Sequence, residues 1–388
     1  MLRIPFSKVA CDGNELEYVR EVLASGWLTT AGKTHAFEDQ FRERVGARFA
    51  CAVNSCTAGL HLALEALGVG HGDRAFVPTM TFTATAEVVR YLGADPIFVD
   101  VEYGSSVVTL EILTEAIHRF GSAKVFLPVH FGGQAAPLLS SNGNGLLDLC
   151  RENSIRVVED AAHAFPTKCL DRMIGSLGDI TCFSFYANKT ITTAEGGMLT
   201  TNDPDIAKRV KVMRLHGIDR DVWDRFTSDK PSWEYDVIAP GFKYNMPDVA
   251  AAIGLAQLEG ADLFRTERER CARFYMERLA ALGAIDLPLV HCNMEDHSWH
   301  LFVIILNDRS PVSRNRFIEI LAERGIGTSV HYKPLHRMTY YRERYNLRPE
   351  DFPNAERIWK GCVSLPIFPS LSDEELEYVC KVIWEVLG

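Results

Sequence analysis

The chain has 388 residues, 47% of them hydrophobic, enough for a large core and a smaller second unit. Its formal net charge is −10 with a pI near 5.7, and Lys and Arg form no dense block, which argues against nucleic acid or an anionic membrane as partner. No apolar run approaches the ~18 residues of a membrane helix, no signal-peptide core opens the sequence, and the ten cysteines lack a C-x-x-C spacing, so the expected compartment is the reducing cytoplasm.

Residues 14–25 have amphipathic helical spacing, with Leu16, Val19, Val22 and Leu23 on one face. Residues 57–67 predict a mostly apolar helix buried between layers. Short apolar runs follow at 75–78, 96–100 and 125–129, separated by helical patterns at 84–92 and 110–119. That alternation requires crossover connections and predicts an α/β fold with a largely parallel sheet. Strands buried on both faces read as continuous apolar runs, as these do. Residues 140–145, Ser-Ser-Asn-Gly-Asn-Gly, read as a polar surface loop. A further strand pattern, Ile155-Arg156-Val157-Val158-Glu159-Asp160, ends in two acids. Residues 219–240 are polar and aromatic with weak periodicity and predict a long loop, of a kind that is often functional. Residues 249–278 are strongly helical and lead into a C-terminal α+β unit. The expected division is a large domain at 1–254, with an arm at 1–30, and a small domain at 255–388.

Lys189 carries the chemistry. It follows Phe183-Ser184-Phe185-Tyr186-Ala187-Asn188 and precedes Glu195-Gly196-Gly197, 29 residues after Asp160. A strand-end carboxylate and a lysine in the loop after a later strand are the two groups that pyridoxal phosphate demands. The lysine condenses with the aldehyde, and the carboxylate keeps the pyridine nitrogen protonated so that the ring accepts electrons. A lysine taken alone is most often a solvated surface group. One desolvated behind an aromatic stretch has a lowered pKa and becomes a nucleophile and proton carrier. In open α/β sheets the ligand lies beyond the carboxyl ends of the strands, where both groups fall. Asn54-Ser55-Cys56-Thr57-Ala58 opens a helix with backbone donors and hydroxyls for a phosphate, although Thr57 by itself reads equally well as an N-cap. Gly68-Val69-Gly70-His71-Gly72 follows a helix rather than a strand, so it reads as a helix stop and not a nucleotide loop. His291, Cys292, Glu295, Asp296 and His297 have ligand chemistry but no zinc spacing, and no metal site is expected.

A wider set of blocks carries a resemblance. Asp160-Ala161-Ala162-His163, Gly175-Ser176-Leu177-Gly178-Asp179 and the Lys189 segment resemble the DegT/DnrJ/EryC1/StrS sugar aminotransferases. So do Gly26-Trp27-Leu28-Thr29-Thr30, Pro128-Val129-His130-Phe131-Gly132-Gly133-Gln134, Gly241-Phe242-Lys243-Tyr244-Asn245-Met246 and His331-Tyr332-Lys333-Pro334. The resemblance implies a fold-type I enzyme that uses pyridoxal 5'-phosphate, with pyridoxamine phosphate as the carrier form. It implies catalytic roles for Lys189 and Asp160 and phosphate binding at Cys56, Thr57, Ala58 and Ser184. Cys56 stands where the family usually has glycine. Phe82 would stack on the pyridine ring, His163 would lie near its hydroxyl, and Asn245 would reach the phosphate of a neighbouring subunit, making a homodimer with shared sites. Trp27, Thr29, Lys243, His331 and Tyr332 match substrate-side positions, and Arg214 and His216 are further candidates for a diphosphate. The implied reaction moves an amino group from an amino acid, glutamate first, to a nucleotide-linked keto sugar, with a UDP-4-keto sugar the nearest match. The alternatives are a sugar dehydratase, in which a histidine replaces the lysine, and a non-catalytic protein on the same fold.

Overall fold

The computed structural model describes residues 3–141, 143–219 and 235–388. The loop expected at 219–240 lies mostly, and that at 140–145 partly, outside the described residues. In chain order the first unit contains α1 (Glu15–Ser25), α2 (Gly32–Val45), β1 (Phe49–Val53), α3 (Cys56–Ala66), β2 (Arg74–Pro78), α4 (Ala84–Tyr91), β3 (Asp95–Val99) and α5 (Leu110–Phe120). It continues with β4 (Val125–Phe126), α6 (Leu146–Glu152), β5 (Arg156–Asp160), the hairpin β6 (Lys168–Cys169) and β7 (Arg172–Met173), β8 (Ile180–Ser184), β9 (Gly197–Thr201) and α7 (Pro204–Met213).

Seven of these strands form one sheet in the order β1-β9-β8-β5-β4-β2-β3. β9 runs against both neighbours, and the other pairings are parallel. The expected parallel sheet is therefore present, and the crossing order brings the ends of β2, β5 and β8 to one side. The strand expected at 125–129 is paired as a ladder only over Val125–Phe126. Pro128 has no N–H to give, although its carbonyl still accepts from Asp160, and Val129 bridges to Asp160. α3 lies across β8 and β9 with its first turn against Gly197, where an added Cβ would stand 2.7 Å from the Cys56 nitrogen. Glycine there lets the helix start approach the sheet edge to edge.

Two expectations change. The helix at 249–278 is two helices, α8 (Asp248–Glu259) and α9 (Ala261–Leu279), separated at Gly260, on which the Phe264 ring packs closely. The face proposed for α1 is not the buried one. Val22 is buried, but Leu16 is 83% exposed and Leu23 is also exposed. α1 instead turns Glu15 and Tyr18 toward α8, where they meet Gln257 and Glu259.

The smaller core is built on β10 (Ile285–Asp286), β11 (Phe302–Leu306) and β12 (Cys362–Leu365), an antiparallel sheet in that order. α9, α10 (Arg314–Glu323), α11 (Thr339–Tyr345), α12 (Pro353–Gly361) and α13 (Asp373–Leu387) complete this part of the chain. Tyr275, Trp299, Phe302, Phe317 and Phe368 fill the core, each such burial worth roughly 1.5–3 kcal/mol. Ile4 belongs to it as well. Its N–H donates to the Gly325 carbonyl and its carbonyl accepts from Gly327, both at 2.8 Å. No helix of the described residues is long and apolar enough to cross a membrane.

Candidate active site

Asp160 is the last residue of β5 and is buried. Its Oδ2 accepts from the Thr85 hydroxyl at 2.8 Å, and its Oδ1 accepts from the Ala162 amide at 3.1 Å. Thr85 sits in the first turn of α4 and is itself fixed by Thr81, 2.8 Å away. Burial raises the carboxyl's pKa, opposed by those two donors and by Lys189 and His130. Such a carboxylate holds strongly to a proton shared with a ring nitrogen.

Lys189 lies in the loop after β8, its amide bonded to the Tyr186 carbonyl. Part of its side chain meets solvent, yet its amine lies deep enough that burial lowers its pKa from 10.5 to about 8, against the pull of Cys56 and Asp160. Beside it, the Asn188 Oδ1 is buried without a hydrogen-bond partner.

His163 stands three residues beyond Asp160. Its Nδ1 accepts the Gly132 amide at 3.2 Å, which leaves the proton on Nε2, 3.0 Å from the Tyr332 hydroxyl. Burial, with Lys189 and His331 adding to it, holds His163 well below the usual histidine range, so the ring is neutral. The Tyr332 hydroxyl oxygen accepts that Nε2–H hydrogen bond and keeps its own hydrogen to donate; burial pushes its pKa up. His331 bonds to Ser364 at 2.7 Å, stacks on Phe6, and has its pKa lowered by burial to about 4. His300 packs on His163 with ring centroids 4.4 Å apart, and its Nδ1 is buried without a partner. His300 was given no role in the sequence reading, and neither was Thr85. A Thr81–Thr85 pair at helical spacing after a strand end was the available signal.

The start of α3 is the opposite wall. Ser55 caps the helix, accepting from the Ala58 amide at 3.1 Å, so Thr57 is not the cap and its hydroxyl is left for another use. The Cys56 thiol points to the Cys182 carbonyl, 3.6 Å away, and its pKa is raised well above the usual thiol range by burial. Cys56 therefore packs backward and leaves the backbone amides of the turn forward. Ser184 ends β8, half-buried. Phe82, just before α4, is 57% exposed with Tyr332 6.0 Å from its ring.

A second group sits elsewhere. Lys243 Nζ donates to Asn245 Oδ1 at 2.6 Å, and Asn245 Nδ2 donates to the Thr30 hydroxyl at 2.7 Å. With Thr29, Lys208 and Lys211 they line a cavity of about 480 Å³. The side-chain hydrogen bonds of Lys243 and Asn245 run to Thr30 and to each other, while the Lys243 carbonyl accepts from Asn54 Nδ2 at 3.4 Å and Asn245 bridges to Val53, just ahead of α3. Arg214 also lines this cavity, buried, paired with Glu38 and bonded to the Ala52 carbonyl. His291, Asp296 and His297 each have their own partners, in Glu102, Lys168 and the Trp299 amide.

These residues fit pyridoxal phosphate. An acid with two donors and a raised pKa faces a lysine of lowered pKa, an exposed aromatic face lies beside them, and a capped helix start offers amides and hydroxyls. The fold and site define a fold-type I, pyridoxal-phosphate-dependent aminotransferase. Residues 10–384 match the DegT/DnrJ/EryC1/StrS aminotransferase family, and the chain belongs to it. It is a sugar aminotransferase of that family. An uncharacterised protein of Methanocaldococcus jannaschii is 40% identical over 97% of this chain and 96% of its own length. The spore coat polysaccharide biosynthesis protein SpsC of Bacillus subtilis is 39% identical over 99% and 97%. Among solved structures, the pyridoxal phosphate form of Streptococcus pneumoniae Spr1654, assigned as a sugar aminotransferase, is 31% identical with a TM-score of 0.89 and full coverage of both chains. Helicobacter pylori PseC, an aminotransferase of pseudoaminic acid biosynthesis, is 25% identical with a TM-score of 0.89 over 100% of this chain and 99% of its own.

Proposed function

We propose that the protein moves the amino group of L-glutamate to a nucleotide-linked keto sugar, a UDP-4-keto sugar first among them, in making an amino sugar for a surface polysaccharide or related glycan. The observation that carries this reading is Asp160, buried at the end of β5 and held by Thr85 and Ala162, with Lys189 in the loop after the neighbouring strand β8.

Pyridoxal phosphate, when bound, supplies the electron sink and carries the amino group between the two substrates. Asp160 would hold the proton on the ring nitrogen. Lys189 would hold the cofactor at rest and, once released, move a proton to and from the donor's α-carbon; at pKa about 8 the free amine is available near neutral pH. Neutral His163 would orient Tyr332 as a donor at the cofactor's hydroxyl edge, and Phe82 would cover one ring face. Cys56, Thr57, Ala58 and Ser184 would hold the phosphate, and Trp27, His331 and His331's neighbour Tyr332 would border the sugar.

The reading includes a homodimer in which Asn245 completes the partner's site. Exposed Leu16, Leu23 and Leu28 lie on the arm next to Thr29 and Thr30, an apolar surface suited to a second copy. Lys208, Lys211 and Lys243 beside Asn245 would supply charge for a diphosphate. A cytoplasmic location suits the cysteines, all free among the described residues. The likeness to SpsC and PseC supports the glycan assignment.

The test is the visible absorption of the cofactor-loaded protein before and after glutamate, followed by UDP-, dTDP- and GDP-linked keto sugars with product masses recorded. Loss of the visible band with glutamate and an amino sugar from one of the three supports the proposal. A band indifferent to glutamate, or no aminated sugar from any of them, overturns it.

A further inference from the structure

The face of β5 turned away from the cofactor carries a second acid that the reaction chemistry does not touch. Glu159 precedes Asp160, and alternation along a strand sends the two side chains to opposite faces. Both Glu159 and His130 are wholly buried. Glu159 Oε2 faces His130 Nε2 at 2.9 Å, and Oε1 accepts from the Gly178 amide and the Thr181 hydroxyl, each at 2.7 Å. The fit is tight: a Cβ on Gly178 would stand 2.9 Å from Oε1.

The state of His130 follows from its other nitrogen. The Ala136 amide points at Nδ1 from 3.0 Å, and an amide can only donate, so Nδ1 carries no proton. Nε2 then holds the ring's single hydrogen and gives it to Glu159. The carboxylate is surrounded by three donors, with no lysine or arginine in contact. His130 also grips the neighbouring residue, its backbone N–H donating to the Asp160 carbonyl at 3.1 Å.

We propose that Glu159 and His130 are positioning residues for the cofactor acid: an ionised Glu159, caged by His130, Thr181 and Gly178, anchors the end of β5 in register and adds a fixed negative charge behind Asp160 that favours protonated groups in the site. The Cys182 thiol on β8 feels both Asp160 and Glu159, so the two acids share one electrostatic neighbourhood. The other ionisable groups that bear on Asp160 are Lys189 from the loop after β8, Cys56 from α3 and Tyr332, ahead of α11.

The inference rests on cofactor dependence and not on the choice of donor or sugar, so its test needs neither. Glu159→Gln keeps the size and removes the charge. The readouts are the pH midpoint of the bound cofactor's visible absorption and the cofactor's dissociation constant, with circular dichroism confirming the fold. Removing a nearby negative charge weakens the hold on protons, so the midpoint is expected to fall by about half a unit or more, with weaker cofactor binding. If Glu159→Gln does not fold, Thr181→Val takes one donor and keeps the charge, and the midpoint is expected to rise. A midpoint equal to that of the parent in whichever variant folds, or a Thr181→Val shift in the same direction as that of Glu159→Gln, overturns the proposal. Glutamate or sugar specificity different from that proposed above would leave these midpoints as they are.

Discussion

A large cavity at the sheet edge and the active site lie apart. A cavity of about 660 Å³ runs along the edge strand β3, lined by Phe98, Ile112, Ala116, Phe120, Tyr345 and Leu347 among others. Several of its polar groups are committed to structure. Asp100 accepts from the first amides of α12, Tyr345 bonds to Asp95, and Arg119 and Arg348 both reach Asp351. Around Lys189 the opposite holds. An amine is pushed toward neutrality, Asn188 and His300 keep buried atoms without partners, and a large aromatic face stands open. Room alone does not mark function; chemistry left uncommitted does.

The strongest way to break this contrast is at the amine. Lys189→Ala should lose at least ~10³-fold in transamination, since it removes both the cofactor tether and the proton carrier; near-parental turnover would end the assignment. Asp160→Asn keeps the shape but not the charge, and kcat should fall by about 10²- to 10³-fold while the cofactor still binds. Phe82→Ala should loosen the cofactor about 2- to 10-fold, the loss of an aromatic contact worth ~0.5–1.5 kcal/mol, seen in equilibrium titration.

A smaller effect sharpens the same point through pH. An amine whose folded pKa is about 8 instead of 10.5 opposes folding wherever it must be charged. That opposition is complete below about pH 8 and fades as pH rises toward 10.5. Cofactor-free Lys189→Met is therefore expected to melt higher than the cofactor-free parent at neutral pH, with the gap closing across that interval. A gap independent of pH would show that Lys189 is not desolvated. At the edge cavity, Ala116→Leu should leave turnover within about twofold while stability moves by no more than ~1–3 kcal/mol. A large loss of activity there would mean that the β3 cavity communicates with the site.

Much of this was legible in the sequence because the relevant physics is local. The apolar runs at β2, β3 and β5 and the helices between them are set by patterning, and Asp160 falls at a strand end because strands in such sheets end where the ligand begins. What stayed hidden depends on the third dimension. Nothing in the spacing of α1 tells that Glu15 turns inward to Gln257 while Leu16 faces out. Nor does the sequence show that Arg214 pairs with Glu38, 176 residues away. Gly260 divides a helical pattern because a ring from the next turn packs against it. The protonation of His130 and His163 follows only from which amide faces which nitrogen.

The hold of Ile4 on Gly325 and Gly327 sets an order of events. Gly327 follows Ile4 by 323 residues. At synthesis rates of ~5–20 residues per second, Ile4 waits about 15 to 65 s on the ribosome before its partner strand exists. The large sheet, whose last strand ends at Thr201, is complete in sequence well before that partner emerges. Ile4 thus ties the start of the described chain to the smaller core, and a bulky group attached ahead of it would disturb that contact rather than the sheet that carries Lys189.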